Sequence, residues 1–140
     1  LTIIWSGDAY HLFTEQCPFE PGLMSIGHAV SLDLYEWEEL PPAIERGPEG
    51  AFDGYALQHL DVYIHVGKWY MYYTGLERPH EPGQMPGIGL ATSDDGLNWQ
   101  KYDGNPVLRA DGCYYELATP RSAAYAASRN WPKTARSITT

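Results

Sequence analysis

Cysteine is nearly missing from this 140-residue chain: Cys17 and Cys113 are the only two. They stand far apart without a Cys-x-x-Cys spacing, so neither a zinc site nor a disulfide framework is expected. Positive charge is also scarce, with nine Lys and Arg against eighteen Asp and Glu and a net charge of −9. That balance argues against nucleic acid, whose phosphates call for Lys and Arg, and against an anionic membrane surface. No run is long and apolar enough to cross a bilayer. No charged segment followed by an apolar one opens the chain, so no secretory signal is read. The chain starts at Leu1 without an initiator Met, directly in an apolar run, which suggests a missing or processed N-terminus and leaves the compartment unknown. Aliphatic residues are only moderately common, whereas eleven Tyr and five Trp are present. This mix suits an all-β protein, and aromatic ring faces pack well against the apolar faces of sugar rings.

Residues 59–75 read as two strands joined by a tight turn. Leu60, Val62, Ile64 and Val66 alternate with His59, Asp61, Tyr63 and His65, the period of a strand. Gly67 supplies the turn, and Trp69 to Thr74 has the composition of a second strand. Asp61 stands out as a carboxylate inside a strand that otherwise looks ready for burial, where an unpaired charge is costly.

Upstream, strands are expected over residues 2–5, 9–15, 24–31 and 36–40, with turns or loops at 6–8, 16–23 and 32–35. Residues 41–54 hold three Pro and three Gly and read as a long connection. The pattern then repeats. Gly7 to Thr14 lines up with Gly67 to Thr74 at an offset of 60, and Gly27 to Asp33 with Gly89 to Asp95 at 62. Trp37 meets Trp99 at the same 62. Four strands per repeat of about 60 residues point to a β-propeller. The expected fold is all-β: a partial propeller over residues 1–116, with blade one at 1–44 and blade two at 56–108.

Beyond Glu116 the composition changes abruptly. No acidic residue follows it, whereas Arg121, Arg129, Lys133 and Arg136 do, and residues 117–140 show no strand period. Two readings are open: an unstructured terminus, or a third blade replaced through a change of reading frame. The abruptness favours the second.

Ile26-Gly27-His28-Ala29-Val30-Ser31-Leu32-Asp33-Leu34-Tyr35-Glu36-Trp37 resembles the first-blade motif of glycoside hydrolase family 32, and Tyr10-His11-Leu12-Phe13 the strand before it. Leu60-Asp61-Val62 with Gly67-Lys68-Trp69-Tyr70-Met71-Tyr72-Tyr73 is similar to the second-blade motif of family 43. Ile88-Gly89-Leu90-Ala91-Thr92-Ser93-Asp94-Asp95-Gly96-Leu97-Asn98-Trp99 fits both. The resemblance implies a five-bladed propeller glycosidase with three carboxylates in an axial funnel. Asp61, six residues before the turn Gly67 as in the family 43 pattern, takes the place of the carboxylate that orients the sugar and tunes the acid. The first-blade Asp would fall before Leu1 and the general acid beyond blade two. The expected function is a glycosidase fragment, of the arabinofuranosidase, xylosidase or fructofuranosidase kind, with a non-catalytic carbohydrate-binding module as the alternative.

Residues that recur in register read as architecture. Ser31 and Ser93, Asp33 and Asp95, and Trp37 and Trp99 belong there, the two Asp organising turns through backbone N–H groups. Asp61 has no such counterpart and is the catalytic candidate. Asp53, in a Phe-Asp-Gly-Tyr run, is a turn signal and a candidate substrate contact. Tyr55, Trp5 and Trp69 are ring faces for either a sugar or the core. His59 and His65 lie too far apart along a strand to share an ion, and His28 reads as a packed strand residue. No metal or cofactor is expected; the partner is a carbohydrate.

Overall fold

The structure, a computed structural model, describes residues 1–16, 24–79 and 86–109. Cys17, Cys113, Glu116 and the basic tail lie outside the described residues, and so does the reading of residues 117–140. Among those described there is no helix, only two antiparallel meanders. Sheet one runs β1 (Thr2–Trp5), β2 (Tyr10–Gln16), β3 (Ser25–Ser31) and β4 (Glu38–Ile44), paired in that order. Sheet two runs β5 (Ala56–His65), β6 (Lys68–Leu76), β7 (Gly87–Ser93) and β8 (Gln100–Lys101); β9 (Leu108–Arg109) also pairs with β7.

The outer strand of sheet one is longer than the proline pair suggests. β4 continues through Pro41 and Pro42 to Ile44, where a connection was expected. An edge strand needs no N–H on its free side, so proline is tolerated there. The register also slips between Ile26–Ile44 and His28–Leu40, a bulge that absorbs the extra residues. In sheet two the outer strand is split, and Asn105 bridges the gap. Its side chain accepts from Leu90 N at 2.8 Å and donates to Leu90 O at 2.9 Å, as a strand neighbour would.

The hairpin reads as expected. His65 pairs with Lys68 around Val66 and Gly67, whose φ values of 49° and 74° give the twist that a two-residue hairpin wants. Between Gln58 and Asp61 the register shifts, and His59 sits at φ 47°. One extra residue there swaps the faces of all that follows. Leu60 and Val62 turn into the core and Asp61 and Tyr63 turn outward.

The core lies between the two sheets. Phe13, Ile26 and Ile44 of sheet one meet Leu60, Val62, Trp69, Met71, Tyr73 and Ala91 of sheet two. Gly89 carries no side chain because the Tyr73 ring lies where a Cβ would stand, and Phe52 fills the equivalent space at Gly75 and Gly87. Cross-sheet bonds add to the packing: Leu57 N donates to Met24 O at 2.9 Å, and His59 N donates to the Glu15 carboxylate at 2.9 Å.

Candidate active site

The loop at residues 45–55 carries the chain from one sheet to the next, and it holds the most structured polar cluster. Its backbone closes on itself through Gly47 N to Asp53 O at 3.1 Å and Gly54 N to Ala51 O at 3.0 Å. Tyr55 N then donates to Leu76 O at 2.8 Å, joining the loop to sheet two. This folding turns Asp53 inward, where it is only 3% exposed. A buried carboxylate needs partners. Lys101 Nζ lies 2.6 Å from Asp53 Oδ2, and the Tyr73 hydroxyl donates to the same oxygen at 3.1 Å. Asn105 Nδ2 reaches the Tyr73 hydroxyl at 3.3 Å. Burial, followed by the Asp53 charge, pushes the Tyr73 hydroxyl far above the ordinary phenol range, so it stays a donor.

Asp61 occupies a different position. It is exposed in the middle of β5, paired in register with Tyr72. Its own side chain accepts from Val62 N at 3.0 Å. The expectation of a carboxylate pressed into a buried strand is therefore corrected: the bulge at His59 directs it to the open face. Tyr63 stacks there on Tyr70 at 5.3 Å and on Tyr72 at 6.2 Å, so Asp61 borders an aromatic surface. Burial and contact with Tyr72 raise the Tyr63 hydroxyl above its usual range.

The other expected contacts are spread out. Tyr55 is half-buried at the entry to β5, on the same loop as Asp53. Trp5 ends β1 beside the turn at residues 6–9, half-exposed, with its ring 4.6 Å from Tyr10. By the 60-residue repeat it corresponds to His65, at the far end of a strand from Tyr55. Trp69 is core. His28 is buried as a packed strand residue, but it also contacts His11, which the sequence did not signal. No group of three or more His, Cys, Asp or Glu that could hold a metal occurs among the described residues.

The recurring residues do the structural work expected of them. Asp33 Oδ1 accepts from Tyr35 N and Glu36 N, each at 2.9 Å, and Asp95 Oδ1 from Leu97 N and Asn98 N, each at 2.8 Å. These backbone donors hold both carboxyls below the usual carboxylate range. Trp37 Nε1 donates to Leu34 O and Trp99 Nε1 to Gly96 O, at 3.2 and 3.0 Å. Two face-packed meanders with the same turn in each define consecutive blades of a β-propeller of the kind that glycosidases use.

The comparisons agree with that class. The chain belongs to glycoside hydrolase family 32: the profile of the "Glycosyl hydrolases family 32 N-terminal domain" matches residues 2–131. It is 31% identical to a levanase of Bacillus subtilis over 140 residues, covering 92% of this chain and 20% of the levanase. It is 37% identical to a sucrose-6-phosphate hydrolase of Zymomonas mobilis over 107 residues, covering 71% of this chain and 20% of that protein. Among solved structures, a family 32 beta-fructofuranosidase of Bombyx mori superposes with a TM-score of 0.65 at 31% identity, over 78% of this chain and 23% of its own. An α-L-arabinanase of Cellvibrio cellulosa shares the fold alone, with a TM-score of 0.56 at 23% identity over 77% of this chain and 34% of its own. The chain thus spans about a fifth of the length of the curated relatives it matches.

Proposed function

We propose that this chain forms two adjacent blades of an enzyme that hydrolyses the glycosidic bond of a fructofuranoside. The family match over residues 2–131 carries this reading. The names of the relatives narrow the sugar, since levanase, sucrose-6-phosphate hydrolase, fructan 1-exohydrolase, exo-inulinase and invertase all act on fructosyl compounds. Arabinosides and xylosides, equally open from the motifs, become the weaker choice.

Glycosidic cleavage needs two carboxyl groups with separate duties, one donating a proton to the leaving oxygen and one attacking or activating water. Asp61 is our candidate for a sugar-orienting carboxylate on its six-residue spacing from Gly67 alone, since its exposure beside Tyr63 and Tyr72 lies on a face that a neighbouring blade covers. Its role was read from the family 43 spacing, whereas the matched family is 32, so it needs a direct test. Tyr55 is the candidate stacking ring beside the loop, and Trp5, at the opposite end of its blade, is a candidate for a separate sugar contact. Asp53 has Oδ2 committed to Lys101 and Tyr73, so we assign it to holding the loop that presents Tyr55.

This chain spans about a fifth of the length of the relatives it matches. Alone it is expected to give no turnover of sucrose, levan, inulin or chromogenic arabinofuranosides and xylosides. Released sugar would be measured at high protein concentration. Turnover of a fructoside that Asp61→Asn lowers at least about 100-fold would make Asp61 catalytic and the chain self-sufficient. Turnover of an arabinoside in preference would sink the fructoside assignment. Saturable fructan binding without turnover would favour the carbohydrate-binding module instead.

A further inference from the structure

We propose that His11 and His28, paired on sheet one beneath sheet two, form an acid-labile latch in the inter-sheet core, which stays closed while both rings are neutral and is forced open when they take up protons. His11 on β2 and His28 on β3 both face sheet two, at 5% and 3% exposure. His11 Nδ1 lies 3.0 Å from His28 Nε2, so one ring donates and the other accepts a single shared hydrogen. Phe13 stacks on His28 at 4.4 Å, and Trp69 of sheet two packs on His11 at 4.9 Å. The latch is thus part of the inter-sheet core.

The surroundings offer a cation little: the cavity beside His28 is lined mainly by Leu40, Pro41, Pro42 and Trp99, with Asn98 as its polar side chain. Opposite His11 stand Ile4 of β1 and Val30 of β3; opposite His28 stand Phe13 of β2 and Leu40 of β4. Sheet two contributes Trp69, and Trp99 stands edge-on to Phe13 at 5.5 Å. The charged group acting on His11 is Asp8, exposed in the turn between β1 and β2, and it favours the cation only weakly against burial. Two protonated rings would lose the N–H···N bond and face each other as like charges in an apolar setting.

Burial pushes both imidazoles down, His28 to about 4 with His11 adding to the effect. A histidine with a depressed native pKa binds its proton more readily when unfolded. Its contribution is complete above the unfolded value near 6.5 and is lost as pH falls towards the native value. His28 alone should raise the unfolding constant by on the order of a hundredfold across that window. The carboxylates of Asp33 and Asp95 act at lower pH, since both are held below their ordinary range.

The test is a proton–carbon NMR titration of the histidine rings of the 140-residue chain, with urea unfolding at matched pH. Two rings should keep neutral shifts until the protein opens, and the urea midpoint should fall steadily as pH drops from about 6.5 to about 4.5. The His28→Gln variant should lose at least about tenfold of that pH dependence. The proposal is overturned if every ring titrates reversibly near 6.5 in the folded protein, or if the urea midpoint is flat over this range. Both deciding measurements use the unsubstituted chain and hold even if the variant does not fold.

Discussion

Asp53 shows how a residue type acquires its meaning from its surroundings. As part of a Phe-Asp-Gly-Tyr run it reads as a turn former. In the structure the turn has carried its carboxylate inward to Lys101 and Tyr73. Nothing in the sequence points to Lys101, which lies 48 positions away on a short edge strand. Its Nζ also sits 5.8 Å from the Tyr73 ring centroid. Removing one member of such a pair leaves the other charge buried without compensation, whereas removing both is milder. Lys101→Met should therefore destabilise the chain by about 2 kcal/mol, the partial exposure of the Lys side chain keeping the cost below that of a fully buried pair. Adding Asp53→Asn to it should recover part of that loss. Urea unfolding of the two single variants and the double variant gives the coupling. A strictly additive double variant would mean that the ion pair contributes nothing.

The elements repeat more faithfully than the residues between them. In each sheet the turn after the third strand is a Ser-x-Asp unit. Ser31 Oγ accepts from Leu34 N at 2.9 Å, and Ser93 Oγ from Gly96 N at 2.9 Å. Asp95 additionally accepts from Asn98 Nδ2 at 2.8 Å, whereas the position equivalent to Asn98 in sheet one is Glu36, which has no side-chain amide to donate to Asp33. Asp95→Ala should thus fray the join from β7 to β8, raising amide exchange at Leu97 and Asn98 at least about tenfold while Met71 and Tyr73 stay protected. Uniform loss of protection would show that the turn is coupled to the whole core instead. These turns were legible because Ser, Asp and Trp recur at fixed offsets, and a repeat marks architecture without any coordinates. The strand β5 was legible through its period of two and β6 through its aromatic and β-favouring composition. The rest was hidden for physical reasons. Pro41-Pro42 looks like a break unless the strand is known to lie at an edge. The bulge at His59 has no glycine to announce it, yet it decides that Asp61 faces outward. The His11–His28 contact spans two strands and depends on their register.

At the scale of the molecule, two sheets share one covered interface and each keeps one open face. Ile3 and Trp5 lie half-exposed on the first. Tyr63 and Tyr72, stacked and bordered by Asp61, lie on the second. In a propeller each blade covers the face of the next, so such surfaces are built for contact with another sheet. Isolated in water, they favour pairing between copies of the chain. The net charge of −9 opposes that pairing and is screened by salt. The chain is therefore expected to associate reversibly, with a weight-average sedimentation coefficient that rises between about 5 and about 200 μM protein, and rises more at high salt than at low salt. Tyr63→Lys combined with Tyr72→Lys adds charge to one face without touching the core, so it should lower association at least about tenfold while circular dichroism is unchanged. A monomer at every concentration and salt would mean that the open faces are already satisfied. An association unchanged by the double substitution would place the contact on the Ile3–Trp5 side instead.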